Sequence, residues 1–133
     1  MKLVCRVLTL GLVLALAAPA LATPEQAPQS ATEFYQAYRK ALAKAQKIED
    51  VLPMMVASRR AQVEKTPAED RKMMFGMVKE MTAEQGEVKV VKETATANGA
   101  ELAVQAKDGT GTVTIVKEGG SWKLEKESWK GKM

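Results

Sequence analysis

A chain of 133 residues with 20 Lys and Arg against 16 Asp and Glu, no histidine and a single cysteine has room for one modest core and too little for two. Lysines and glutamates are interleaved, as in Lys89, Lys92 and Glu93 or Lys123, Glu125, Lys126 and Glu127. Phosphate tracking needs clustered positive charge, so nucleic acid is excluded as an expected partner.

Residues 1–22 read as a secretory signal: Lys2 and Arg6, an unbroken apolar run from Val7 to Ala18, then Pro19 and Ala20-Leu21-Ala22, an A-x-A cleavage pattern. The run is short of the roughly 20 residues that span a bilayer, so no stable membrane anchor is expected after processing. Cleavage after Ala22 would leave 111 of the 133 residues and, without Lys2 and Arg6, 18 basic against 16 acidic groups. Cys5 lies inside the signal and Thr23 stands where a lipoprotein needs its cysteine, so the expected mature chain is thiol-free, unlipidated and periplasmic or secreted. Residues 23–30, with Pro24 and Pro28, read as a leader, and 31–133 as a single α+β domain.

Phe34, Tyr38, Leu42, Ala45 and Ile48 recur at helical spacing, with Ser30 or Thr32 available as N-cap. A second, shorter helix is predicted around Ile48 to Ala57, with Pro53 in its first turn or at a kink. The third has Thr66 as N-cap, Pro67 at its first position and Glu69 at its third, and is predicted to run to about Thr82. Its buried stripe is expected to be Met74, Met77, Val78 and Met81, flanked by Met73 and Phe75.

Beyond Gln85-Gly86 the period becomes two, with hairpin signals at Asn98-Gly99, Asp108-Gly109 and Gly119-Gly120. Tight turns there pair Ala95 with Leu102, Leu102 with Ile115, Val104 with Val113, Ile115 with Leu124 and Lys117 with Trp122. Every apolar residue of that set falls on one face. The other face takes Thr94, Thr96, Glu101, Gln105, Thr112, Thr114, Lys123, Glu125 and Glu127. Val88 and Val90 have the wrong parity for the apolar face, as has Trp129 relative to Leu124, which predicts a bulge near Val91 and another before Trp129. The fold class is therefore α+β: three helices packed on one face of a four-stranded antiparallel meander.

The aromatic first helix Glu33-Phe34-Tyr35-Gln36-Ala37-Tyr38, the methionine-rich middle and the closing run from Gly111 to Leu124, with its Gly119-Gly120-Ser121-Trp122-Lys123-Leu124, resemble the small exported branch of the nuclear transport factor 2-like superfamily. The resemblance covers roughly Ala31 to Trp129. It implies a curved, cystatin-like cone of sheet wrapped around the first helix, enclosing a pocket, often in a dimer. One departure is that no short strand is evident between the second and third helices.

Enzymes of that superfamily use a histidine or aspartate base with tyrosine or other donors. This chain has no histidine, and Asp50, Asp70 and Asp108 fall near a helix start, in a helix first turn and in a hairpin turn. Tyr38 reads as a core aromatic without a partner base. Ideal pairing sets Glu93 opposite Val104 on the buried face, where the bulge near Val91 would turn it outward. No nucleophile with an adjacent base is visible, so no catalytic residue and no cofactor is expected.

Six methionines, Met54, Met55, Met73, Met74, Met77 and Met81, fall in the helical half. Thioethers can hold Cu(I), but copper sites gain strength from cysteine or histidine, so these residues read as core packing or groove lining and no metal site is expected. The pocket candidates are Phe34, Tyr38, Met74, Met77, Trp122 and Trp129. Tyr35 and Trp129 are placed at its rim, with Arg39, Arg59 and Arg60 either near it or on a solvated face. The expected function is to bind a small hydrophobic ligand or an envelope protein. The alternatives are an assembly module with a closed core and an unrecognised isomerase-like enzyme. A homodimer is compatible with this, though the polar sheet face argues against a dry sheet-to-sheet one.

Overall fold

The computed structural model describes residues 30–131; the expected signal, its cleavage site and residues 23–29 of the expected leader lie outside the described residues. Helix α1 spans Ala31–Lys44, α2 Ala57–Lys65 and α3 Ala68–Gln85; the strands are β1 Lys89–Ala95, β2 Gly99–Ala106, β3 Gly109–Glu118 and β4 Ser121–Gly131. The sheet has the order β1-β2-β3-β4, all neighbours antiparallel. The helices cover one face of this meander, the α+β arrangement predicted above. Among the described residues no helix is long and apolar enough to cross a membrane.

Helix α1 starts where the Ser30 hydroxyl accepts the Glu33 amide at 3.1 Å, an N-cap that satisfies one of the free donors of the first turn. Its apolar stripe, Phe34, Tyr35, Tyr38 and Leu42, is buried against the sheet. Two further side chains close its ends from a distance. The Glu93 carboxylate of β1 accepts from the Thr32 amide and hydroxyl, both at 2.8 Å. The Lys79 ammonium of α3 donates to the carbonyls of Leu42, Ala43 and Ala45 at 3.3, 2.7 and 2.9 Å. A carboxylate at the N-terminus and an ammonium at the C-terminus are each the sign the helix dipole favours.

The second helix lies later than the periodicity predicts. Ile48–Asp50 and Leu52–Met54 are single 3-10 turns, and α2 begins only at Ala57. The Asp50 carboxylate accepts the amides of Gln46 and Lys47 and tightens the first turn. Pro53 has no amide to offer a longer helix. The backbone then runs beside β4: Met55 forms a parallel bridge to Leu124, and the Val56 amide donates to the Leu124 carbonyl at 3.0 Å. This excursion sets Val51, Leu52, Met55 and Val56 into the core.

Helix α3 overturns two expectations. Thr66 is not its N-cap: its hydroxyl donates back to the Gln62 carbonyl at 2.9 Å and closes α2, and α3 runs past Thr82 to Gln85, stopped by Gly86 at φ 63°. The methionine stripe is not buried. Met73, Met74, Met77 and Met81 are 63, 44, 65 and 48 % exposed, while Phe75 is buried and Val78 half-buried. The helix is rotated so that Phe75, Val78, Lys79 and Thr82 face α1, an orientation the Lys79 contacts to three α1 carbonyls hold in place.

The sheet follows the predicted parity with a changed register. The Gly119-Gly120 turn sets Ile115 opposite Leu124 and Lys117 opposite Trp122 as expected. In the first two hairpins the turn residues are Ala97-Asn98 and Lys107-Asp108, so Ala95 faces Ala100, Leu102 faces Val113 and Val104 faces Gly111, each two residues from the predicted partner. A shift of two keeps every side chain on its face. Neither Gly99 nor Gly109 has positive φ. Their role is close approach: a Cβ on Gly99 would collide with the Ile115 carbonyl and come within 2.6 Å of Val116 Cα, and one on Gly109 would collide with the Lys130 carbonyl.

Both bulges are present, between Val90 and Lys92 in β1 and opposite Thr114/Ile115 in β4, where Glu125 is the extra residue. The first turns Val88 and Val90 to the core and leaves Val91 60 % exposed. It does not reorient Glu93, which lies on the hairpin side of the bulge, opposite Leu102 rather than Val104. The second bulge turns Trp129 inward, opposite Gly111, and carries Glu127 with it, opposite the fully buried Val113. Glu127 therefore leaves the outer polar face to which simple alternation assigns it.

Candidate functional site

A cavity of about 230 Å³ lies between the helices and the inner face of the sheet. Its apolar wall comes from Tyr38 and Leu42 of α1, Ile48, Val51 and Met55 of the excursion, Val63 of α2, Met74, Phe75, Val78 and Met81 of α3, and Trp129 of β4. Its polar atoms come from Arg39, Arg59, Thr82, Gln85 and Glu127. A mainly apolar concavity with a few convergent polar groups is the usual form of a ligand site, although this one falls below the roughly 300–1,000 Å³ of drug-sized pockets.

Glu127 organises the polar end. Its Oε2 accepts from the Tyr35 hydroxyl at 3.2 Å and from the Trp129 indole nitrogen at 3.1 Å, so one carboxylate oxygen ties α1 to β4 and fixes the Trp129 ring. That ring lies over Gly111, where a Cβ would come within 2.9 Å of it. Tyr35 and Tyr38 stack with centroids 6.3 Å apart. Burial, and secondly the Glu127 charge, push both phenols well above the ordinary tyrosine range. Both hydroxyls therefore remain protonated donors across the physiological range.

Two guanidiniums flank this end. Arg39 donates to the Gln85 side chain at 2.8 Å and the Gly86 carbonyl at 3.3 Å, spanning α1 to the end of α3. Arg59 makes a 3.4 Å contact to the Glu125 carbonyl at the bulge. Both are half-buried and line the cavity, whereas Arg60 turns away to the Met55 carbonyl and to Glu118, 3.7 Å distant.

Of the six pocket candidates, the structure brings together Tyr38, Met74 and Trp129. Phe34 is buried in the core and is not part of the cavity wall. Met77 lies on the outer side of α3, because the helix is rotated. Trp122 sits half-buried near the β3-β4 turn, with the Lys117 ammonium 4.7 Å from its ring centroid. Tyr35, placed at the rim by sequence, is 1 % exposed. Glu127 is the functional residue that sequence reasoning missed. The signal for it is the parity change that Trp129 demands, since a bulge placed before residue 127 turns Glu127 inward together with Trp129.

Glu93 has a structural use: exposed at the end of the sheet, it accepts from the first turn of α1 and does not reach the cavity. Asp108 occupies a hairpin turn and Asp70 the first turn of α3, as predicted.

Fold and site together define a two-layer α+β domain with a small, mainly apolar interior cavity and one inward carboxylate. No protein-family model, curated protein or solved structure matches the chain.

Proposed function

We propose that this chain is an exported, non-catalytic binding domain of the nuclear transport factor 2-like type, and that it takes a small amphipathic molecule with an anionic end. The observation that carries the reading is the 230 Å³ cavity with apolar walls, flanked at its polar end by Arg39 and Arg59. An acyl or aromatic body would displace water from the apolar wall, and a carboxylate would meet two guanidiniums, whose charge offsets that of Glu127 at the same end. Binding rather than reaction is favoured because Glu127 already receives two hydrogen bonds on one oxygen, in an arrangement that braces α1 and Trp129.

The test is saturation of the protein with octanoate and, separately, with octanol, read by Trp129 emission in a Trp122→Phe background. Octanoate is expected to shift the emission saturably and to bind more tightly than octanol. Arg59→Gln should remove that preference, and Val78→Phe, which fills the cavity, should abolish both responses in a folded protein. Emission that ignores both probes, or binding unchanged in Val78→Phe, overturns the reading.

A further inference from the structure

The rotation of α3 exposes a set of thioethers: Met77 lies outside the interior cavity, and Met74 and Met81 stand at its edge, about half exposed. Met74, Met77 and Met81, at i, i+3 and i+7, line one groove on the outer side of the helix together with Val78, Glu80 and Glu84, and Met73 stands one turn before Met77. The core is built almost entirely from Phe, Tyr, Leu, Ile, Val and Ala, with Met55 the one methionine among the buried residues described. The large apolar side chains most exposed among the described residues are four methionines and Val91. A spare apolar face has no reason to be drawn from a single residue type.

We propose that Met74, Met77 and Met81 form a surface site for a soft monovalent cation, Cu(I), held by three thioether sulfurs. Residues three and four apart on a helix have Cβ atoms about 5–6 Å apart, and the unbranched methionine side chain has the rotatable bonds to bring its sulfur inward. Thioether sulfur is a soft donor that selects Cu(I) over oxygen-seeking Mg(II) or Ca(II). Glu80 and Glu84 stand beside the groove as negative charges, which favour a cation without supplying soft ligands. The chain has no histidine, so the thioethers alone would have to hold the ion, contrary to the expectation drawn from the sequence. Met74 and Met81 also line the interior cavity, whereas Met77 lies outside it, so Met77→Leu is the variant that separates this site from the ligand reading.

The test uses the full chain carrying Cys5→Ser, so that no thiol contributes. Anaerobic Cu(I) is titrated in competition with bicinchoninate, Ag(I) serves as a redox-inert surrogate in native mass spectrometry, and carbon-13-labelled methionine methyl groups report which sulfurs respond. One metal ion is expected per chain, with the methyl signals of residues 74, 77 and 81 moving together and that of Met54 unmoved. Met77→Leu should weaken binding at least tenfold, while Met54→Leu should not, and Zn(II) should bind neither. The Met74→Leu, Met77→Leu, Met81→Leu triple variant keeps the apolar surface and removes the sulfur. Unchanged metal binding by that variant, or no competition by the unmodified methionines, overturns the proposal. So does self-association that the leucine variant retains and Ag(I) leaves unaffected, which would make the face a packing surface.

Discussion

The Tyr35 hydroxyl of α1 donates to the Glu127 carboxylate of β4 across 3.2 Å, joining residues 92 positions apart in the chain. The same oxygen accepts from Trp129, so the pair is the centre of a three-member network inside the apolar layer. Removing the acceptor strands two donors, whereas removing one donor leaves the other bond intact. Glu127→Leu is therefore expected to destabilise the fold by about 1–3 kcal/mol and Tyr35→Phe by about 1 kcal/mol. Their effects should be non-additive in a double-mutant cycle followed by urea unfolding.

The raised phenol pKa values of Tyr35 and Tyr38 set an alkaline limit. Each group holds its proton more tightly folded than unfolded, so the associated stability is complete below the unfolded tyrosine value near 10 and is lost as pH rises above it. Stability should fall above about pH 10, by at most ~1.4 kcal/mol per pH unit for each group. Urea midpoints measured across that range should flatten in Tyr35→Phe and flatten further in the double Tyr35→Phe, Tyr38→Phe variant.

The hairpin glycines separate into two kinds by conformation. Gly119 and Gly120 have φ of 61° and 81° with open space around them, so Gly119→Ala is strained by backbone and should cost about 1–2 kcal/mol. Gly99 has ordinary φ but no room for a Cβ against β3, so Gly99→Ala should cost about 1–3 kcal/mol through displaced strands. Asn98 has no positive φ, and Asn98→Ala should shift the thermal midpoint little. A large loss at Asn98 would instead support the left-handed turn that its Asn-Gly sequence suggests.

Lys79 is expected to matter more than a surface lysine. Its ammonium serves three carbonyls at the end of α1, and Lys79→Met keeps the stem while removing the charge. A loss of about 1–2 kcal/mol in chemical denaturation is expected, against near neutrality for the exposed Lys72→Met on the same helix.

What was legible in the sequence is what strand parity encodes. Val88, Val90 and Trp129 each had to face inward, and only an extra residue in β1 and β4 allows it. The turn positions were misplaced by one because Asn-Gly and Asp-Gly are read as left-handed turn pairs, whereas here each glycine makes room for the next strand. The α3 face is misread from sequence because the helix has a wide apolar arc, with Phe75 and Val78 toward its inner edge and Met73 and Met77 toward its outer edge. Periodicity alone does not choose between them; the reach of Lys79 to α1 does. Within the site, Tyr38 and Trp129 were legible as large inward aromatics, while Glu127 was hidden by an alternation that the Glu125 bulge breaks.

Of the 18 residues of α3, Phe75 is the one that is buried, yet this helix supplies Met74, Phe75, Val78, Met81, Thr82 and Gln85 to the cavity wall. An element with one buried side chain, tied to the rest mainly through polar contacts at Arg71, Lys79 and Gln85, is expected to open before the sheet does. Were the proposed ligand to enter past this wall, its binding would be linked to the closure of α3. On that reading, octanoate is expected to raise the amide-exchange protection of residues 68–85, so the helix itself would report the filling of the interior.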